Sequence, residues 1–198
     1  MKIKYIFIQL FVLVWVANLA ACAQGTRTPQ YTTKWGQQVV FHSFSFDALR
    51  DSKDIEVLDY MYKTANENIA GNPWERRQEG RSQQGESITG VMTVGETLYV
   101  KWKIKSTGEM IEKSIDLKSI LPASMKDKKL YFILEKQNIY VYAISHQPVR
   151  ENFTPLEWIE INESIFGTHL LRLRFYAAHE LIQIYPTHQV IFPYVPKK

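Results

Sequence analysis

The chain has 198 residues, 45% hydrophobic, 22% charged and 13% aromatic, with a formal charge of +4. That composition suits one core-forming domain and excludes a disordered or collagen-like chain, while a single cysteine excludes a disulfide scaffold. Residues 1–21 hold Lys2 and Lys4 and no acid, so without them the charge falls from +4 to +2, too small a footprint for nucleic acid.

Lys2 and Lys4 open the chain, and Ile6 to Leu19 follow as an apolar stretch broken only by Gln9 and Asn18. A spanning helix needs about twenty apolar residues, so this stretch fits the h-region of a secretory signal instead. Leu19-Ala20-Ala21-Cys22 resembles the lipobox of bacterial lipoproteins. The resemblance implies that Cys22 is acylated and becomes the first mature residue. Residues 1–21 are then the signal peptide, and the first expected partner is the lipid bilayer. Each buried methylene contributes about 0.8 kcal/mol, and two acyl chains already give lasting attachment. In lipoproteins an Asp after the cysteine commonly retains the protein in the inner membrane. Here Ala23 and Gln24 follow, which favours the outer membrane, facing the periplasm. Residues 22–36, with Gly25 and Pro29, read as the lipidated cysteine and a polar tether. Residues 37–198 read as a single β-rich domain.

Within that domain the pattern has period two, the period of half-buried strands. Strands are expected over Val39 to Phe46, Glu56 to Lys63 and Ile88 to Val94. Asn66 to Gly85 reads as a long polar loop with Gly71-Asn72-Pro73 and Glu75-Arg76-Arg77. From Leu98 to Lys105, Leu98, Val100, Trp102 and Ile104 alternate with Tyr99, Lys101, Lys103 and Lys105, so Trp102 is expected in the core. Ser106-Thr107-Gly108-Glu109 is a turn signal before a return strand from Met110 to Leu117, which makes a hairpin. Leu117 to Leu121 is expected as a short helix, and Lys126-Asp127-Lys128-Lys129 as a solvated turn. A second hairpin joins Leu130 to Leu134 and Ile139 to Ile144 through Glu135 to Asn138. A helix is expected at Leu156 to Ser164, and strands at His169 to Tyr176, Leu181 to Tyr185 and Val190 to Val195. These elements predict a mainly β fold, a single antiparallel β-sandwich-like domain with few short helices, with α+β as the alternative.

Catalytic motifs fail on inspection. His179-Glu180 starts a zinc-protease pattern, but Gln183 stands where the second histidine belongs. Gly85-Glu86-Ser87 starts a nucleophile elbow, and Thr89 replaces its closing glycine. His42, His146, His169, His179 and His188 share no ligand spacing and read as surface or edge histidines, so neither a metal nor another cofactor is expected. A binding surface suits the chain better, because Tyr, Trp and Arg dominate interface hot spots. Trp74 in the polar loop, with Arg76, Arg77 and Arg81, is the candidate contact with a protein partner. The expectation is a binding protein and not an enzyme.

Leu98-Tyr99-Val100-Lys101-Trp102, Ser114-Ile115-Asp116-Leu117, Leu121-Pro122, Leu130-Tyr131-Phe132 and Tyr140-Val141-Tyr142-Ala143 resemble an uncharacterised family of bacterial lipoproteins, a domain of unknown function. Counting the lipobox, the likeness covers about half the chain and rests on strand patterns; the segment after His146 is unmatched. Members of that family are often encoded beside phospholipase effectors of the type VI secretion system. The resemblance implies a periplasmic immunity lipoprotein that binds a toxin effector. The alternative is a structural or assembly lipoprotein of the envelope, and an unrecognised hydrolase is the third reading.

Overall fold

The structure, a computed structural model, describes residues 31–32, 36–148, 173, 175–176 and 178–192. The chain separates into two units, Met1–Tyr31 and Thr32–Lys198, and the β domain is the second. Cys22 with the rest of the leader, the expected helix from Leu156 to Ser164, and His169 lie outside the described residues.

The strands are β1 (Tyr31–Thr32), β2 (Gln38–Asp47), β3 (Ile55–Lys63), β4 (Asn68–Gly71), β5 (Gly85–Thr93), β6 (Thr97–Ile104), β7 (Met110–Asp116), β8 (Lys128–Glu135), β9 (Asn138–Pro148), β10 (His179–Tyr185) and β11 (Gln189–Phe192). Among the described residues two short helices, Ala48–Asp51 and Trp74–Gln78, interrupt them. The fold is mainly β, as the alternation predicts, and forms a β-sandwich-like domain. The smaller sheet runs β4-β3-β6-β7 and is antiparallel throughout. The larger has seven strands and runs β1-β2-β8-β9-β10-β11, with β5 also paired to β2. Its β2–β5, β8–β9, β9–β10 and β10–β11 pairs are antiparallel, whereas β2 and β8 run parallel, Ser43 to Ser45 beside Lys129 to Tyr131.

The main core lies between the sheets. Phe44 and Phe46 of β2, Tyr60 and Tyr62 of β3, Leu98, Val100 and Trp102 of β6, and Phe132 of β8 are all buried there. Phe44 stacks on Tyr62 with ring centroids 4.8 Å apart, and Phe46 stacks on Phe132 at 4.6 Å. Trp102 is fully buried, and its indole Nε1–H donates to the Lys136 carbonyl at 2.8 Å, tying one hairpin to the other. A second cluster forms on the opposite face of the larger sheet. There Tyr131, Ile133, Tyr142, Ile144, Leu181 and Ile191 pack with Leu173, and Tyr176 leans against them.

Several expectations change. The loop from Asn66 to Gly85 contains β4 and the helix Trp74–Gln78, because Tyr62↔Ala70 pairing adds an edge to β3 that composition alone does not reveal. Leu117 to Leu121 is a turn and not a helix: Ile120 N–H and Leu121 N–H both donate to the Leu117 carbonyl, and the chain then leaves toward β8. Of the expected strand from His169 to Tyr176, the described residues Leu173, Phe175 and Tyr176 form a tight helical turn that caps the outer cluster. Lys128 and Lys129 are the first residues of β8 and half-buried, so the solvated turn is confined to Lys126 and Asp127.

Candidate functional site: a serine- and histidine-lined groove

Alternation along β2 aims Val40, His42, Phe44 and Phe46 at the core and Phe41, Ser43 and Ser45 at the outer face. Their partners on β5 are Val91, Thr89 and Ser87, and side chains of directly paired antiparallel residues share a face. The β2–β5 end of the outer face is therefore paved with small hydroxyls. The β8–β10 end is filled by the aromatic and aliphatic cluster around Tyr131 and Ile144. The step between the two leaves a groove.

One part of the groove is a cavity of about 300 Å³ lined by Phe41, Ser43, Thr89, Lys129, Ser145, His146, Tyr176 and His179, with Ile144 at its floor. An adjoining space of about 490 Å³ runs toward Ser45, Leu49, Arg50 and Glu86, and shares Lys129 and Tyr176 with the first. Phe41, Leu49, Val91 and Phe175, 42%, 68%, 67% and 63% exposed, stand along this surface. The Arg50 guanidinium lies 5.8 Å from the centroid of the Phe175 ring.

Ser43 Oγ and His146 Nε2 are 2.7 Å apart. Burial, and then the nearby Lys129 charge, lower the His146 pKa, which favours the neutral ring in this hydrogen bond with the Ser43 hydroxyl. His179 Nδ1 lies 2.6 Å from the Ser145 carbonyl, an acceptor only, so Nδ1 carries the proton and donates. The Tyr176 ring meets His179 edge to face, with centroids 5.8 Å apart. The Lys129 ammonium donates to the Tyr176 hydroxyl at 3.1 Å and lies 5.0 Å from that ring's centroid. Lys128 is bridged instead to Glu180 at 2.5 Å. Ser45 Oγ is buried with no hydrogen-bond partner among the described residues.

Behind Ser43, His42 is fully buried, which corrects the reading of the histidines as surface or edge residues. Its Nδ1–H donates to the Val40 carbonyl at 3.0 Å, which leaves Nε2 to accept from the Tyr62 hydroxyl at 3.1 Å. Desolvation lowers the His42 pKa. Farther along the groove Tyr131 donates to Asp51, and Arg50 donates to Asp51 at 2.8 Å and to the Tyr131 hydroxyl at 2.7 Å. Burial, then the Asp51 carboxylate, raises the Tyr131 pKa, so this is a locked structural triad.

The residues singled out by composition sit elsewhere. Trp74, Arg76 and Arg77 belong to the helix Trp74–Gln78, and Arg81 follows it. Arg81 Nε pairs with Glu79 at 2.8 Å on the surface, where such a bridge contributes little. Arg76 and Arg81 line neither cavity. Sequence reading missed Ser43, Lys129, His146 and His179 as a group, since they come from β2, β8, β9 and β10 and only the strand pairing joins them. The one legible signal was Phe-Ser-Phe at 44–46 beside His-Ser at 42–43, small hydroxyls alternating with core residues.

Among the described residues no group of three or more His, Cys, Asp or Glu is placed to hold a metal ion, and no helix is long and apolar enough to cross a membrane. The chain matches no family model, no curated protein and no solved structure.

Proposed function

We propose that this chain is a lipid-anchored protein of the bacterial envelope that faces the periplasm from the outer membrane. It binds another protein without performing chemistry, and in its most concrete form it is an immunity protein that neutralises a type VI secretion lipase effector. The leader with Cys22 and the resemblance of its strands support the location and the partner class. The observation that carries a binding role is the outer groove: exposed Phe41, Val91, Leu49 and Phe175 stand beside its two cavities. Exposed apolar side chains gathered on one surface, with polar groups beside them, are what protein interaction sites present. The full chain, extracted in detergent, serves as bait for secreted and envelope extracts. Recovery of a secreted lipase in near-equal amount, lost when Phe41 and Phe175 are both changed to Ser, is the expected result. Recovery of only cell-wall or outer-membrane components moves the reading to an envelope assembly role.

The 2.7 Å contact between Ser43 and His146 favours a second reading, an acyl hydrolase with a serine nucleophile and a histidine base. Two features weigh against it. Ser43 sits mid-strand between Thr89 and Lys129 rather than on an exposed turn, and it is only 1% exposed. A strand interior also commits its backbone N–H groups to the ladder, away from a developing oxyanion. Ester turnover by the wild-type chain, abolished by Ser43→Ala, would establish this second reading.

A further inference from the structure

Lys129 is the anomaly of the groove. A half-buried ammonium is ordinarily met by a carboxylate, because a desolvated charge is costly unless it is paired. Its neighbour Lys128 has Glu180. Among the described residues Lys129 has only the Tyr176 hydroxyl and ring, which do not neutralise it.

The carboxylates nearby are engaged. Glu86 accepts from the Tyr60 hydroxyl at 2.7 Å and from Gln83 at 3.0 Å. Asp51 is held by Arg50 and Tyr131, and Asp47 caps the helix Ala48–Asp51 through Arg50 N–H. Asp127 raises the His146 pKa only against the larger lowering by burial and Lys129. Among the described residues no carboxylate lines the smaller cavity, whereas five strands deliver Ser43, Thr89, Lys129, His146 and His179 to it. Ser45, whose buried hydroxyl has no partner among the described residues, opens beside Lys129 in the adjoining space.

We propose that this groove binds a tetrahedral oxyanion, a phosphate or phosphate ester, against Lys129, in the cavity that Thr89, His146 and His179 line with it. Donors from several strands suit an anion with oxygens pointing in several directions better than a planar carboxylate, and Lys acts on phosphate as a point charge. The anion's charge also favours protonation of His146, whose ring then donates rather than accepts. His146 faces Ser43 on β2, Lys129 on β8, Asp127 ahead of it and His179 on β10, with His42 behind. The site stands independently of the protein-partner reading.

The test uses the full chain in detergent micelles with its histidine rings labelled with nitrogen-15, titrated with sulfate, whose charge is fixed between about pH 6 and pH 8. Saturable shifts at the His146 and His179 rings, with His188 unmoved, are expected, and binding tightens as pH falls. Lys129→Gln weakens binding by about tenfold or more, and Lys129→Arg retains it. Absence of a saturable shift at both rings in the wild-type chain overturns the proposal, as does a Lys129→Gln chain that binds like wild type. Glycerol phosphate and phosphatidylglycerol vesicles are then used to displace the sulfate. Displacement by vesicles identifies a membrane headgroup as the source, and displacement by glycerol phosphate alone identifies a free phosphate ester. Displacement by neither overturns the phosphate assignment.

Discussion

The β6–β7 and β8–β9 hairpins use similar residues and bury them differently. Along β6 every second residue is buried, Leu98, Val100, Trp102 and Ile104, while Tyr99, Lys101 and Lys103 face outward. Along β8, Leu130 to Leu134 are all buried, and so are Val141 to Ile144 on β9. The first hairpin has one partner, the main core. The second is the middle of a sandwich with contents on both sides, because Leu173, Leu181 and Ile191 cover its outer face. A continuous apolar run in a strand thus marks a sheet covered twice, whereas alternation marks one covered once. The groove lies where the outer covering stops, at β2 and β5.

The largest effect is expected where the two hairpins join. Trp102→Ala removes a fully buried indole and its hydrogen bond to the Lys136 carbonyl, and should cost about 3–5 kcal/mol in urea unfolding. A cost near zero would mean that the hairpins do not share a core. Next comes the outer layer. Ile133→Ala should cost about 2–4 kcal/mol, because Ile133 is buried in the second cluster, away from the main core. Met110→Ala, on the exposed side of the other hairpin, should stay within about 0.5 kcal/mol. Equal costs for the two would erase the distinction between the hairpins.

Gly95, between β5 and β6, tests how tightly the main core closes. Its N–H donates to the Tyr62 hydroxyl at 2.8 Å, and an added methyl would collide with the Tyr62 ring. Gly95→Ala should cost about 1–3 kcal/mol, with a thermal midpoint lowered to match. An unchanged midpoint would show that the Tyr62 ring gives way freely.

The smallest effect is a pH dependence. In the folded state burial lowers the His42 pKa below the ordinary value of about 6.5, so the unfolded chain binds the proton more readily. Stability should therefore be level above about pH 7 and decline as pH falls through about 6.5, until the folded ring also titrates. His42→Gln should flatten that decline in urea midpoints, leaving the part due to His146. A decline of the same size in the variant would assign it to other groups.

Much of the larger architecture was legible because it rests on local chemistry. The alternation of Leu98 to Ile104, the Ser106-Thr107-Gly108-Glu109 turn and the aromatic runs on either side of Glu135 to Asn138 each name a strand or turn from neighbouring residues alone. The short elements were not legible: β4 exists only because β3 offers it an edge, and Leu117 to Leu121 turns where a helix could have continued.

By itself the sequence determined the strands of the two hairpins and the inward position of Trp102, since side-chain period and turn chemistry act within a few residues. Tertiary structure alone decided that His42 is sealed behind Tyr62, that Ser43 meets His146, and that Lys129 is turned toward Tyr176. Those contacts cross from about twenty to more than one hundred positions in the chain. Their register follows from which strands pair, and pairing is a property of the whole sheet rather than of any segment in it.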